Sequence, residues 1–319
     1  MHSNTMNLLD RFSHTWGLVR ASFQVIFQQP RLLLFPILSA ACLFGAALIY
    51  FTPLAVAPTG EPITTSAHWK KVGEKYLGIQ TDGVDRRGKQ KTEYAPTATS
   101  MVYLGSWYFI TMFGATFFNV AFFHEILAAL RGQSIDIARG IRHAGARWQA
   151  ILFWSLLAGV VGLIIKAIEE RSGWLGRLVA RFVGVAWSVA ASFVIPILVQ
   201  EEKSVNPIEA VKRSAQLLQR TWGEALIGYV GLSLGTTVLT IGSFLLLALV
   251  IAVSIALKSV VFGLILGAVW LIALIAASYL LSVAGQVFRG ALYLYAAEGM
   301  VASPYSQDSF EGAWRQRKA

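Results

Sequence analysis

Residues 225–287 carry a single charge, Lys258. A helix rises about 1.5 Å per residue and a bilayer's hydrocarbon core is about 30 Å thick, so this apolar run exceeds one crossing and must fold back on itself. Lys258, flanked by Ser254 and Ser259, is the natural turn between spans at 225–253 and 260–287. Four further apolar runs have spanning length, at 32–54, 101–127, 148–168 and 178–199. The 319-residue chain is 55% hydrophobic and 14% charged, which is too apolar for an ordinary soluble domain. The expected fold is an all-α membrane protein with six transmembrane helices, forming one polytopic domain over 1–319.

The spacing of basic residues sets the expected orientation. Arg11, Arg20 and Arg31, then Arg131, Arg139, Arg142 and Arg147, then Lys203, Lys212, Arg213 and Arg220, then Arg289, Arg315, Arg317 and Lys318 all fall on one side of the spans. The short loops opposite hold chiefly Arg171, Arg177 and Lys258. The positive-inside rule then places both termini, including a tail at 300–319, in the cytoplasm of a cell inner-membrane protein. The long 55–100 loop lies opposite; loops of that size vote weakly, and its acidic residues dilute its lysines and arginines. A short helix is expected over 67–77, and irregular backbone in the rest.

The chain's net charge of +10 is explained by the same rule. No basic run is long or aromatic-interleaved enough for a nucleic-acid groove. The expected partners are the bilayer and its anionic phospholipid head groups, with a membrane protein partner or a second copy as the further possibility. One cysteine, Cys42, excludes an intramolecular disulfide and any Cys-rich metal site. No cofactor motif is present. Ser39-Ala40-Ala41-Cys42 and Ala55-Val56-Ala57-Pro58 sit in the wrong surroundings for lipidation or signal cleavage, so 32–54 reads as a retained anchor.

Residues 206–224 form a basic amphipathic helix between two spans. Ile208, Val211, Ala215, Leu218 and Trp222 fall on one face, and Glu209, Lys212, Arg213, Gln216, Gln219 and Arg220 elsewhere. The pattern recurs at 134–147, where Ile137, Ile141, Ala144 and Trp148 align with Val211, Ala215, Leu218 and Trp222. It recurs again at 8–30 with Trp16, Val19, Phe23 and Ile26, and Ser22-Phe23-Gln24 reads like Ser214-Ala215-Gln216. Each segment precedes a pair of spans. The chain therefore reads as three hairpins, each led by a cytoplasmic interfacial helix, with the long loop inserted in the first. Arg139, Arg142, Lys212, Arg213 and Arg220 are the basic residues expected to face lipid or a partner.

Several motifs extend across 159–224: Ala167-Ile168-Glu169-Glu170-Arg171, Trp174-Leu175-Gly176-Arg177, Val194-Ile195-Pro196-Ile197, Asn206-Pro207-Ile208-Glu209-Ala210 and Arg220-Thr221-Trp222-Gly223-Glu224. Together with Trp16-Gly17, Ser22 and Leu34-Phe35-Pro36, this stretch resembles a bacterial and archaeal family of integral membrane proteins catalogued only as a domain of unknown function. The resemblance implies a fold and a topology, and no catalytic residues.

Local chemistry points away from catalysis. Gly231-Leu232-Ser233-Leu234-Gly235 spells a nucleophile elbow, but that motif needs a strand-to-helix turn, and no histidine lies in the last two spans. Gly228, Gly231 and Gly235, and then Gly263 and Gly267, read as small residues for close helix packing. His124-Glu125 lacks the second histidine of a zinc-protease motif. Both residues lie inside a span with Asn119 deeper, which makes the three the candidate functional polar residues. Arg131 is close by, so snorkelling to the interface or pairing with a basic loop is the plainer reading. Glu169-Glu170 resembles the paired glutamates of some intramembrane proteases, yet Trp174 stands where that pattern needs an arginine, and Lys166 suits local pairing. Pro36 and Pro196 free the carbonyls of Leu32 and Ser192. The first functional expectation is a non-enzymatic scaffold or accessory subunit. A transporter-like path for a small or lipidic solute would instead need a polar cavity lined by residues such as Asn119, His124, Ser155, Ser188, Ser192 or Gln286. An intramembrane hydrolase is the remote third.

Overall fold

The structure is a computed structural model and describes residues 8–80, 93–94, 97–200, 206–220 and 222–306, with side chains over 17–79, 97–200, 206–219, 237 and 240–306. Its helices are α1 (Leu8–Gln28), α2 (Leu34–Ala55), α3 (Ser66–Val72), α4 (Ala98–Leu130), α5 (Ile137–Ala146), α6 (Trp148–Arg171), α7 (Trp174–Ala190), α8 (Val194–Gln200), α9 (Pro207–Arg220), α10 (Trp222–Ala256) and α11 (Val260–Glu298). Among the described residues, five helical stretches are long and apolar enough to cross a membrane: Pro30–Ala55, Ala98–Leu130, Trp148–Arg171, Trp174–Gln200 and Val260–Glu298. Thr240–Ala256 within α10 is a shorter apolar helix. The fold is helical as expected, apart from one antiparallel pair, β1 (Ile79–Gln80) with β2 (Glu93–Tyr94), in the long loop. The expected 300–319 tail lies outside the described residues beyond Ser306.

The chain divides into two compact units. One comprises Met1–Phe35, Val120–Ala146 and Val185–Ala319; the other comprises Pro36–Asn119 and Arg147–Gly184.

The first unit holds α1, α5 and α9. On α1, Leu18, Val19, Ala21, Ser22, Val25 and Ile26 are buried while Arg20 and Gln24 are exposed. On α5 the buried residues are Gly140 and Ala144, with Ile137 and Ile141 half-buried. On α9 they are Ala210, Ser214 and Leu218, while Val211 and Ala215 are half-buried and Ile208 is 68% exposed. Val19, Ile26 and Leu218 of the expected apolar faces are thus buried, and small residues share the stripe with them: Ala21 and Ser22 on α1, Gly140 and Ala144 on α5, Ala210 and Ser214 on α9. Small residues at a contact let two helices approach closely. Gly290 on α11 works in the same way: a Cβ there would come within 2.7 Å of Ile126 Cγ2 on α4.

Hydrogen bonds lock these contacts. The Ser22 hydroxyl donates to Leu18 O (3.0 Å) and so accepts from the Tyr305 hydroxyl (2.7 Å), in the strap that follows α11. Burial raises the Tyr305 phenol well above its ordinary range, opposed in part by that bond to Ser22. Between α7 and α8 the helix breaks at residues 191–193, just before Pro196, where the ladder loses a donor. The Phe193 amide at the break donates to Ser214 Oγ of α9 (2.9 Å). Pro36 falls in the first turn of α2, where its missing amide leaves no bond unmade, so it starts a helix and does not break one. The turn between α10 and α11 falls where the charge pattern places it. Lys258 takes a positive φ of 49°, Ser259 caps α11 through Phe262 N (3.3 Å), and Ser254 Oγ donates to Ser259 O (2.9 Å).

The second unit pairs apolar helices through aromatic and glycine contacts. Tyr108 donates to Gly159 O (3.2 Å), and a Cβ on Gly159 would sit 3.0 Å from the Phe109 ring. Tyr50, Phe51, Tyr103 and Trp107 cluster with ring centroids 4.6–6.0 Å apart. The long loop packs on this cluster: Leu54, Ala57 and Val72 are buried against Phe51, Tyr76, Leu77 and Tyr103. The expected loop helix is α3 followed by a π-helical turn, Gly73–Leu77, which stops at Gly78 with φ 68°.

Candidate functional site, a buried carboxylate at the end of α4

Glu125 lies one turn from the end of α4 and is 0% exposed. A carboxylate cannot be buried unpaired without a large desolvation cost, so its surroundings must supply charge and donors. The chain leaves α4 through Gly132 at φ 78°, buries Ile135, and re-enters helix at α5, which brings Asp136 and Arg139 back to Glu125. Arg139 binds in fork geometry, Nε to Oε1 at 2.9 Å and Nη2 to Oε2 at 2.6 Å. The Asp136 amide donates to Oε2 (2.7 Å), and His124 Nδ1 lies 2.9 Å from Oε1. Arg139 Nη2 also reaches Ser134 O (2.9 Å). The hydrogen bond to Glu125 pushes the Arg139 guanidinium above its ordinary value, against the opposing effect of partial burial, so it stays cationic.

Gly140 makes the approach possible. A Cβ there would meet Ala121 O at 2.8 Å, Glu125 Cγ at 3.0 Å and Phe35 Cε1 at 3.2 Å. On the other side the rings of His124 and His143 stand 3.9 Å apart, and His143 Nε2 lies 2.9 Å from Val199 O of α8. The group therefore ties α4, α5 and α8 together. Both carboxylate oxygens carry two partners each, so the carboxylate is saturated and has no lone pair free for a general base or a nucleophile. Among the described residues no group of His, Cys, Asp and Glu side chains could hold a metal ion.

The remaining candidates fall in different places. Asn119 is half-buried and belongs to the second unit. Arg142, Lys212 and Arg213 are exposed, with Arg213 held by Glu209 at 3.3 Å. Arg139, by contrast, is turned to the buried Glu125. Arg220, Gly228, Gly231 and Gly235 have surroundings outside the described residues. Gly263 is a close contact: a Cβ there would lie 2.3 Å from Ser254 Oγ, which places its role in the turn. Among the described residues, nothing lies within 4 Å of a Cβ placed on Gly267 or Gly242. Ser155 donates to Ile151 O (2.7 Å) and Ser192 to Ser188 O (3.0 Å), so both hydroxyls close on their own helices. A recess of about 380 Å³ in the first unit is lined by Val25, Gln28, Gln29, Ala129, Leu130, Gly132 and Ser303 and includes none of the six residues named for a transport path.

Ser22, Gly140, Ser214 and His143 carry contacts that sequence reading left unassigned. The available signal was the expected likeness of 8–30, 134–147 and 206–224, under which Ser22, Gly140 and Ser214 would share one position.

These elements define a helical protein with several membrane-length apolar helices and one saturated ion-paired carboxylate. A family model described as "Family of unknown function (DUF6159)" matches residues 98–303, and the chain belongs to that family. The match runs from α4 to the strap after α11; the resemblance at Trp16-Gly17 and Leu34-Phe35-Pro36 lies outside it. No curated protein and no solved structure matches the chain.

Proposed function

We propose that this chain is a six-span protein of the cytoplasmic membrane, with both termini in the cytoplasm, that acts as a non-enzymatic scaffold or accessory subunit. In this reading three hairpins are each led by an interfacial helix, α1, α5 and α9, whose basic residues rest on anionic head groups or on a membrane partner. One observation carries it. Ser22, Gly140 and Ser214, equivalent in the aligned segments, are all buried against a neighbouring backbone or ring, while Arg20, Arg142 and Lys212 on the same helices are exposed. Three helices built alike, with cations outward, form a surface. The saturated Glu125 favours a structural role for the buried charge over a catalytic one, and the self-bonded Ser155 and Ser192 favour a scaffold over a polar path.

The test is quantitative isolation in mild detergent of the full chain carrying R142E and K212E. Co-isolated anionic lipid and membrane partners should fall by about thirtyfold or more, from roughly 1 kcal/mol for each of the two cations removed, with the added negative charges lowering it further. An unchanged set of lipids and partners would overturn the scaffold reading. A reporter fused after the last residue should be protected from externally added protease in intact cells; cleavage would overturn the topology.

A further inference from the structure

We infer that the α6–α7 hairpin tip, residues 169–181, is a lipid-phosphate anchor seated in the head-group layer, with Arg171 and Arg177 gripping the phosphodiesters of anionic phospholipid. The inference rests on the membrane reading above and concerns only the second unit. The hairpin register is visible in its contacts: Ile165 Cγ2 lies 3.7 Å from a Cβ placed on Gly184, and Glu169 pairs with Arg181 at 3.3 Å. Glu169 and Arg181 therefore sit at one depth. Below them, residues 148–168 of α6 rise about 32 Å, which matches a hydrocarbon core of about 30 Å. Lys166, one turn lower, is 70% exposed and pairs with Glu170 at 3.7 Å, directed toward the tip. A charge at depth is costly, so the first charged level marks the edge of the hydrocarbon.

From that level to the apex the hairpin climbs about six residues, or about 9 Å. A head-group layer is about 5–8 Å thick on each side of the bilayer, so the tip crosses it and little more. What the tip carries suits that layer. Trp174 is 75% exposed and Leu175 59%, with Leu178, Val179 and Phe182 exposed behind them. Water alone would disfavour this apolar surface, and hydrocarbon alone would disfavour the charges. Trp is enriched where both are met. Lys166 and Arg181 are each matched by a glutamate, whereas Arg171 and Arg177 are exposed and have no acidic partner among the described residues. The complement of two unmatched guanidiniums beside apolar side chains at head-group depth is a phosphodiester with acyl chains below it.

The test uses the full chain in nanodiscs of mixed phosphatidylglycerol and phosphatidylcholine. Retained phosphatidylglycerol, counted by native mass spectrometry after mild detergent release, should fall about thirtyfold in R171Q/R177Q, from roughly 1 kcal/mol per cation removed. Spin labels on Leu175→Cys and Ile164→Cys, each in a Cys42→Ser background, should report head-group depth and hydrocarbon depth respectively. Equal lipid retention by the double variant overturns the proposal, as does a Leu175 label in bulk water. Displacement of the lipid by inorganic phosphate alone, with phosphate retained in its place, assigns the arginines to a free anion and overturns the lipid anchor. An Ile164 label outside hydrocarbon would instead overturn the membrane reading on which the anchor depends. Failure of the R142E and K212E test leaves the anchor standing.

Discussion

Glu125 and Glu169 are both glutamates on long apolar helices, and both face an arginine, yet the molecule treats them in opposite ways. Glu125 is fully buried, held by two bonds from Arg139, one from the Asp136 amide and a contact to His124. Glu169 is 41% exposed and meets the 72%-exposed Arg181 in one bond of 3.3 Å. The first pair is a joint between helices; the second is a pair on a wet rim. Burial, not the identity of the partners, separates them. Removing one partner of a buried pair strands a charge in a poor solvent, while removing one partner of an exposed pair returns the other to water.

The largest expected effect is therefore at Arg139. Arg139→Met should destabilise the protein by about 3 kcal/mol, at the low end for a buried pair because the guanidinium is a third exposed, read as a lower thermal midpoint in detergent. Glu125→Gln in the Arg139→Met background should recover part of that loss, and a strictly additive double variant would show that the two groups are not coupled. Gly140→Ala comes next at about 1–3 kcal/mol, since its Cβ would press on the Ala121 carbonyl, which is backbone and cannot swing aside. Gly267→Ala is its control: with open space around it and a helix interior to stiffen, it should be neutral or stabilising by up to about 1 kcal/mol. Ser214→Ala leaves the buried Phe193 amide without its acceptor and should cost about 1–2 kcal/mol, with faster hydrogen exchange at that amide as the specific readout. At the small end, Arg181→Gln should change stability by under about 1 kcal/mol and lose even that at high salt. A value there equal to that of Arg139→Met would erase the distinction between joint and rim.

Much of the architecture was legible because charge and hydropathy act over whole segments. The α10–α11 turn at Lys258 follows from the one charge in a long apolar run, and α1, α5 and α9 follow from helical periodicity outside the apolar stretches. The pairing of Glu125 with a basic loop was legible as one of two ways to relieve a charge in a span. Which arginine would do it was not, because Arg131, Arg139 and Arg142 are all within reach along the chain. Arg131 turns to Glu298 at 2.5 Å, Arg142 stays exposed and Arg139 turns inward, according to where α5 lands after Gly132. The rotation of the amphipathic helices escaped sequence reading for a related reason. Periodicity finds the bulky stripe, of which Val19, Ile26 and Leu218 are buried, but not the contacts at Ser22, Gly140 and Ser214, whose small size has meaning only beside the neighbour they admit.

Sequence by itself determined the helical class, the apolar stretches and the turn at Lys258. Those properties depend on residues near one another in the chain and on their average preference for water or hydrocarbon. Tertiary structure alone decided that Arg139, and not Arg131 or Arg142, faces Glu125, that Gly263 packs against Ser254 in a turn, and that a serine of α9 completes the broken helix at Phe193. Each of those outcomes depends on distances of about 3 Å between residues far apart in sequence, where hydrogen bonding and steric contact act and hydropathy does not.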